Sequence, residues 1–378
     1  MIGGGNKMAS KIRVGLVYGG KSGEHEVSLS TAFAVSSEFD FEKYMIKPFY
    51  ISKEGQWFTA PFLNAPPSKK EELILSTQQT TGEATTHRAL FSIFSSLDGI
   101  ADDNQIDVMF PLLHGTFGED GTIQGLFEMA NIPYVGTGVL ASSVGMDKVF
   151  MKKAFADAGL PQCKFCYFTK AEWTANESFY LDQVEQQLGY PNFVKPANLG
   201  SSVGISKAST RDELKKAIQY ALRFDRKIII EQNINAREIE VAVLGNDEPK
   251  ASVAGEILSG HDFYDYTAKY TDGKSSMVIP AEIPDELMQQ LRQMALIAYK
   301  AIDGTGLSRV DFFVEKDTSE IFINEVNTLP GFTPYSMYPL LWKETGLPYK
   351  QLLDELIKLA FSRHEAKQNI DYSGGSNA

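Results

Sequence analysis

Apolar and polar positions change rhythm many times along this chain, and each change marks an element. Ile12 to Tyr18 is a nearly unbroken apolar run, the pattern of a strand buried on both faces. It runs into a glycine turn, Gly19-Gly20-Lys21-Ser22-Gly23. Helical spacing follows from about Val27 to Phe39, then a strand from Met45 to Ile51 and another from Val108 to Leu112, ending in His114-Gly115. Residues 61 to 105 are polar and rich in Pro, Ser and Thr, and read as a surface excursion with some helix. This alternation predicts a first α/β unit with a parallel sheet, closing near Thr137.

Asp147 is placed to cap a helix from Lys148 to Ala158, closed by Gly159 and Pro161. Strands at Phe165–Phe168, Asn192–Lys195 and Lys227–Glu231 and helices near Leu181–Leu188 and Asp212–Leu222 make a second, α+β unit. A third holds strands at Glu238–Leu244, Ser252–Ile257, Ser308–Val314 and Ile321–Val326, with helices at Asp285–Ile302 and near Tyr349–Arg363. The expected division is 8–137, 138–232 and 233–364, with 1–7 and 365–378 as disordered extensions.

Composition narrows the function. At 378 residues, 43% hydrophobic and 22% charged, this is a globular chain of two or three units. No apolar run approaches the roughly 18–20 residues of a membrane helix, and the start lacks a basic and apolar leader, so a cytoplasmic location is expected. A net charge of −12 argues against nucleic acid or a membrane as the main partner, since phosphate backbones need clustered Lys and Arg. A small phosphorylated ligand remains compatible. The two cysteines form Cys163-Lys164-Phe165-Cys166; without a second pair they read as small strand residues rather than a metal or redox site.

Residues 15–22 match G-x-x-x-x-G-K-S, yet Leu16-Val17-Tyr18 continue the strand, and Glu24 and Glu26 follow where phosphate needs positive charge. A phosphate loop is therefore not expected there. The strongest chemistry lies in Ser308–Val314 and Ile321–Asn327. Alternation puts Arg309 and Asp311 on one face, and Glu325 and Asn327 on one face. If the strands are hairpin neighbours, Asp311, Glu325 and Asn327 converge as the hard oxygen donors a phosphate-bridging Mg²⁺ takes, with Arg309 beside them. The plainer reading is a solvated polar face. Lys195 ends a strand before the small-residue loop 196–204, suited to covering a triphosphate, or serving as a simple turn. The strand reaching Glu231, followed by Glu238, suits an adenosine pocket, and the aromatic loop 259–273 has the character of a lid. A lone His is more often structural, but His114, at the end of a parallel strand, sits where α/β units bind ligands.

Six ordered segments carry a resemblance: Glu24–Ser30, HGTFGEDGT at 114–122, Met146-Asp147-Lys148, KPANLGSSVG at 195–204, FYDYTAKY at 263–270 and Asn324–Thr333. Together they resemble the ATP-grasp superfamily and, within it, the D-alanine–D-alanine ligase family, from about Lys11 to Arg363. The resemblance implies an ATP-grasp fold preceded by an N-terminal α/β domain, and a reaction through D-alanyl phosphate to D-alanyl-D-alanine, ADP and phosphate. It implies that Glu26 binds the ammonium of the first D-alanine and His114 its carboxylate. Lys148, Lys195, Lys269 and Ser202 would hold ATP phosphates, and Glu231 and Glu238 the adenosine. Asp311, Glu325 and Asn327 would carry two magnesium ions, with manganese as a substitute. Arg309 and the Gly331 N–H would stabilise the tetrahedral oxyanion, and Ser336 with Met337 would bind the second substrate's carboxylate. Tyr270, linked through Ser201 to Glu26, goes with D-alanine as acceptor. A homodimer is also implied.

Asn198-Leu199 replaces a charged pair common in relatives, and Asn233 an aromatic that often flanks the adenine. Three rivals follow: a ligase with D-lactate or D-serine as acceptor, a phosphate-loop NTPase working at Lys21, and a non-catalytic nucleotide-binding module.

Overall fold

The computed structural model describes residues 11–76, 105–258 and 276–372. Its first sheet comprises β1 (Ile12–Gly19), β2 (Tyr44–Ile51), β3 (Trp57–Thr59) and β4 (Val108–Pro111), in the order β3-β2-β1-β4. β1 pairs in parallel with β2 and β4, and β3 adds an antiparallel edge. Val14, Leu16 and Tyr18 point into one apolar cluster and Val17 into another, so the continuous run of β1 serves both faces. Gly19 follows from the packing: at φ 91°, a Cβ there would lie 2.1 Å from the Ile51 carbonyl oxygen. Gly15 lies inside β1, opposite Lys47 and Met109, and the Lys21 side chain lies across Gly55. The glycine–lysine pattern thus makes no phosphate loop. Helix α1 (His25–Glu38) begins straight after the turn.

Helices α2 (Thr122–Met129), α3 (Val139–Met146) and α4 (Lys148–Asp157) lead into the second sheet. Asp147 caps α4, its Oδ1 accepting from the Val149 and Phe150 N–H groups at 3.1 Å each. The second sheet orders β5 (Phe165–Thr169), β8 (Lys227–Gln232), β6 (Asn192–Pro196) and β7 (Ser206–Ala208), all antiparallel. Helices α5 (Lys170–Ala175), α6 (Glu177–Gln187) and α7 (Arg211–Ala221) accompany it. Phe168, Val194, Ile228 and Ile230 join Leu181, Val184, Leu214 and Ile218 from α6 and α7 in one core. The alternate residues Phe165, Lys195, Ile229 and Glu231 therefore face the other way. Cys163 and Cys166 are buried free thiols, and burial raises the pKa of both.

The third sheet runs β11 (Ser276–Val278), β10 (Lys250–Leu258), β9 (Ala236–Leu244), β12 (Leu307–Glu315), β13 (Ile321–Asn327), antiparallel throughout. Helix α8 (Asp285–Ala301) covers one face, packing Leu291, Ala295 and Tyr299 on Ile239, Val241, Val310 and Phe312. The opposite face is divided. Its apolar end, with Ala242, Leu244 and Leu307, joins α9 (Met337–Glu344), α10 (Tyr349–Gln368) and the first sheet in a shared core. Its polar end carries Glu238, Glu240, Arg309, Asp311, Glu325 and Asn327.

Helices α3, α5 and α9 were not foreseen; all three are short, and Pro339 is tolerated because it falls in the first turn of α9. Helix α10 runs to Gln368, past its expected end and into the tail taken as disordered. Lys367 pairs with Glu128 and Gln368 with Asn131, which gives that extra turn partners. Residues 1–7, the rest of the tail from 373, and the loop 259–273 lie outside the described residues.

Candidate active site

The polar end of the third sheet is set by register. In the pairing of β12 with β13, Arg309 stands opposite Asn327 and Asp311 opposite Glu325, but Phe312 is opposite Ile323. Asn324 is thus an extra residue, a β-bulge that re-phases the strand. Without it Glu325 would follow Ile321 and Ile323 onto the face covered by α8. The strands are hairpin neighbours, the condition set from sequence, but it is the bulge that turns both Glu325 and Asn327 toward Asp311. Arg309 grips Asp311 with two bonds, Nε to Oδ1 and Nη2 to Oδ2, both 2.7 Å. The Asn327 amide nitrogen donates to Asp311 Oδ2 at 2.8 Å, and Arg309 Nε lies 3.0 Å from Glu240 Oε2.

Facing this row are the lysines of α4 and the second sheet. Lys148 Nζ is 4.0 Å from Glu325 Oε2 and donates to the Leu199 carbonyl at 2.8 Å. Lys195 and Lys152 both reach Glu231, at 2.5 and 2.9 Å, in a nearly dry triad. Burial alone would push Lys195 down, but Glu231 and Glu325 outweigh it, and its pKa rises to about 12. Burial also opposes the Glu231 charge, yet the two ammonium groups hold its carboxyl far below the usual range. The Glu231 carboxylate, assigned from sequence to adenosine, is therefore a partner of lysines, while Glu238 stands further along β9, opposite Phe313.

The loop after β6 places Ser201 and Ser202 at φ 53° and 56° and Gly204 at φ 78°. Ser201 Oγ is buried and has no hydrogen-bond partner among the described residues. Its proposed partners diverge. Tyr270 lies outside the described residues, as does the phosphate-binding candidate Lys269, and Glu26 is elsewhere: its side chain is 60% exposed and pairs with Lys53 at 2.8 Å. That corrects the expectation for Glu26. On α1 the inner positions are His25, Ser28, Leu29, Ala32 and Val35, and Glu26 falls off that stripe.

The carboxylate that enters the crevice is Glu24. It is 8% exposed at the N-cap of α1 and makes no side-chain cap bond. A Cβ at Gly115 would meet its Oε2 at 2.6 Å, and one at Gly200 at 3.5 Å, so the carboxylate lies between the turn after β4 and the Ser201 loop. Glu119 accepts from the Gly115 N–H at 2.6 Å; burial first, then the charge of Glu24, lifts its pKa to about 8. His114 is buried and shifted down by desolvation, and its Nε2 lies 3.3 Å from Thr31 Oγ1. The backbone of Leu329 lies beside both His114 and Glu119, which brings the segment after β13 to this crevice. On that segment Gly331 is followed by Ser336, whose hydroxyl accepts from the Thr333 N–H at 3.1 Å. Met337 opens α9 with its side chain buried.

The sequence reading missed Glu24, Glu119, Lys152 and Glu240. Helical phase was the available signal for Glu24 over Glu26, and strand alternation, Glu238 then Glu240, for the last.

Two family models match the chain: D-ala D-ala ligase N-terminus over residues 13–137 and D-ala D-ala ligase C-terminus over residues 154–358. The D-alanine–D-alanine ligase of Bacillus velezensis is 54% identical over 357 residues, 94% of this chain and 100% of that protein. The solved D-alanine-D-alanine ligase from Coxiella burnetii is similar at a TM-score of 0.77 and 32% identity, covering 95% of this chain and 97% of its own. The VanG D-Ala:D-Ser ligase from Enterococcus faecalis is similar at 0.77 and 36%, covering 93% and 100%. The fold is an ATP-grasp fold preceded by an N-terminal α/β domain, and the chain belongs to the D-alanine–D-alanine ligase family.

Proposed function

We propose that this chain joins two molecules of D-alanine to D-alanyl-D-alanine with ATP, releasing ADP and phosphate by way of D-alanyl phosphate, for peptidoglycan precursors. Beside family membership, one observation carries the reading. Arg309, Asp311, Glu325 and Asn327 sit on paired strands facing Lys148 and Lys195, as transfer of a phosphoryl group requires.

The crevice of the first sheet takes the first D-alanine. Glu24 replaces Glu26 as the partner of its ammonium, because Glu24 is the buried carboxylate between Gly115 and Gly200. His114 lies beside it for the carboxylate end. A neutral Glu119 keeps a second full charge out of the crevice near pH 7. Lys148, Lys195, Ser202 and, from the loop outside the described residues, Lys269 hold phosphates. Glu238 holds ribose hydroxyls, and Glu231 fixes the lysines beneath the nucleotide. Arg309 and the Gly331 N–H face the oxyanion when the second amine attacks the acyl phosphate carbonyl. Ser336 and the first N–H groups of α9 receive the second carboxylate. Tyr270 and Ser201 complete the acceptor side.

Two carboxylates and an amide oxygen are hard donors that suit magnesium. Among the described residues no group of three or more His, Cys, Asp or Glu is arranged to hold a metal by itself, and nucleotide phosphates commonly supply the remaining ligands of Mg²⁺. Asp311, Glu325 and Asn327 would hold two Mg²⁺, or Mn²⁺ in their place. When bound, the metal neutralises charge on the triphosphate and the transferring phosphoryl group. Family resemblance also supports a cytoplasmic homodimer and the three units 8–137, 138–232 and 233–364. Among the described residues no helix is long and apolar enough to cross a membrane.

A second reading, D-serine as acceptor, rests on the likeness to VanG. Phosphate release with ATP, Mg²⁺ and D-alanine, with products identified by mass, separates the two. D-alanine-dependent release of D-alanyl-D-alanine is the expected result. Release only when D-serine or D-lactate accompanies D-alanine would replace the acceptor, and no release with any D-amino acid would overturn the proposal.

A further inference from the structure

The register of the third sheet places three carboxylates abreast: Glu240 on β9, Asp311 on β12 and Glu325 on β13, each directly opposite the next. One strand step along lie Ala242, Arg309 and Asn327. Glu240 is the most buried of the three, its side chain 8% exposed against 13% for Asp311 and 24% for Glu325, and its Oε2 lies 3.0 Å from Arg309 Nε. Adjacent strands are about 4.8 Å apart, so the backbones of Glu240 and Glu325 stand about 10 Å apart with Asp311 between them. Glu240 flanks the metal-facing pair on the far side of Asp311, and the Arg309 guanidinium lies against it.

Both oxygens of Asp311 are already in use. Oδ1 accepts from Arg309 Nε, and Oδ2 from Arg309 Nη2 and Asn327 Nδ2. If Asp311 turns its lone pairs to a cation, the two-pronged grip on Arg309 loosens, because a carboxylate oxygen shared between cation and guanidinium serves each less well. The single Arg309 Nε–H goes to Asp311, but Glu240 Oε2 lies 3.0 Å from the same nitrogen, placed to take that N–H when Asp311 lets it go. We propose that Glu240 is a positioning residue that retains Arg309 when Asp311 and Asn327 engage the nucleotide's magnesium, so that the guanidinium stays aimed at the transferring phosphoryl group. This rests on the reading of Asp311 as a metal ligand and adds to it the group that keeps Arg309 in place. It also accounts for a third buried carboxylate beside two that bind metal, an arrangement that would otherwise only add repulsion.

The test uses the full-length enzyme and the variants Glu240→Gln, Arg309→Ala and Asp311→Asn. Calorimetry measures ADP affinity in EDTA and in Mg²⁺, and kinetics measures kcat and KM. For Glu240→Gln, metal-free ADP affinity and the melting temperature in EDTA should stay near the parent, because Asp311 still grips Arg309. The gain in ADP affinity from Mg²⁺ should shrink about fivefold, since Arg309 and metal now compete for one carboxylate. At saturating Mg²⁺, kcat should fall about tenfold or more while KM for D-alanine stays within about twofold. An unchanged Mg²⁺-linked gain would overturn the inference. So would an equal loss of stability and ADP affinity with and without metal, the mark of a purely structural role. Near-normal turnover in both Arg309→Ala and Asp311→Asn would overturn the site reading and this inference with it. Loss in those two but not in Glu240→Gln would overturn the inference alone. If Glu240→Gln is poorly folded, Glu240→Met fills the same space without charge and carries the same expectations.

Discussion

Glu24 and Glu26 are two residues apart, one 8% exposed in the crevice and the other a surface partner of Lys53. A buried carboxylate facing an ammonium makes a strong charge-assisted bond, whereas an exposed ion pair is worth about 0–1 kcal/mol. Glu24→Gln should therefore lower kcat/KM for D-alanine by about a hundredfold, and Glu26→Gln by no more than about twofold. Phosphate release at varied D-alanine reads both, and the reverse order would restore Glu26. Glu119 gives a pH dependence. Its carboxyl titrates near 8 in the fold against an ordinary 4.5, so the folded protein holds this proton more tightly than the unfolded chain. The resulting stabilisation is complete below about 4.5 and is lost as pH rises through 8. Glu119→Gln should remove that fall, so melting temperatures of variant and parent should diverge between pH 5 and 9, the variant gaining relative to the parent as pH rises. Parallel profiles would count against a raised carboxyl.

At the scale of elements, the second sheet and α4 share one buried ion triad, Lys152–Glu231–Lys195. Such a triad adds little net stability when whole, but removing one member leaves charge unmatched in a dry site. Lys152→Met should cost about 3 kcal/mol in urea unfolding and lower ATP affinity by displacing Lys195. Adding Glu231→Gln to it should recover part of the stability but not the ATP affinity; a stable single variant would show that the triad is not dry. The loop that follows β6 turns on Gly204, where φ is 78° and a Cβ would lie 2.7 Å from Pro196 and 2.8 Å from Phe224. Gly204→Ala should therefore destabilise the protein by more than the roughly 1 kcal/mol of backbone strain alone, and raise KM for ATP as the covering loop shifts.

Across the whole molecule, α10 binds the first sheet to the third. Leu352, Leu353, Leu356 and Ile357 lie in the same core as Leu16, Phe110 and Leu307. At its far end Arg363 donates to the carbonyls of Gly136 and Tyr134 and to Thr305 Oγ1, and stacks over the Tyr134 ring at 4.2 Å. Because the crevice holding Glu24 and the sheet holding Arg309 must keep their spacing for acyl phosphate and amine to meet, this lock has a catalytic consequence. Arg363→Met should cost about 2–3 kcal/mol in stability and lower kcat without touching either substrate. Unchanged kcat in a destabilised variant would confine Arg363 to stability.

Much was legible in the chain itself. Continuous apolar runs marked β1, β2 and β4, alternation marked β12 and β13, and Asp147 marked the start of α4, because these signals are local and repeat with the period of the element. The polar residues of β12 and β13 were recognisable for the same reason. What local pattern does not contain is which carboxylate is buried and what it meets. Glu24 over Glu26, Lys152 beneath Lys195 and Glu240 beside Arg309 are decided by contacts between elements distant in sequence. The bulge at Asn324, which brings Glu325 and Asn327 to Asp311, exists only because β13 is paired with β12. Residue type and spacing determined the elements and the chemistry on offer; tertiary packing decided which charged groups leave water, and so which of them act.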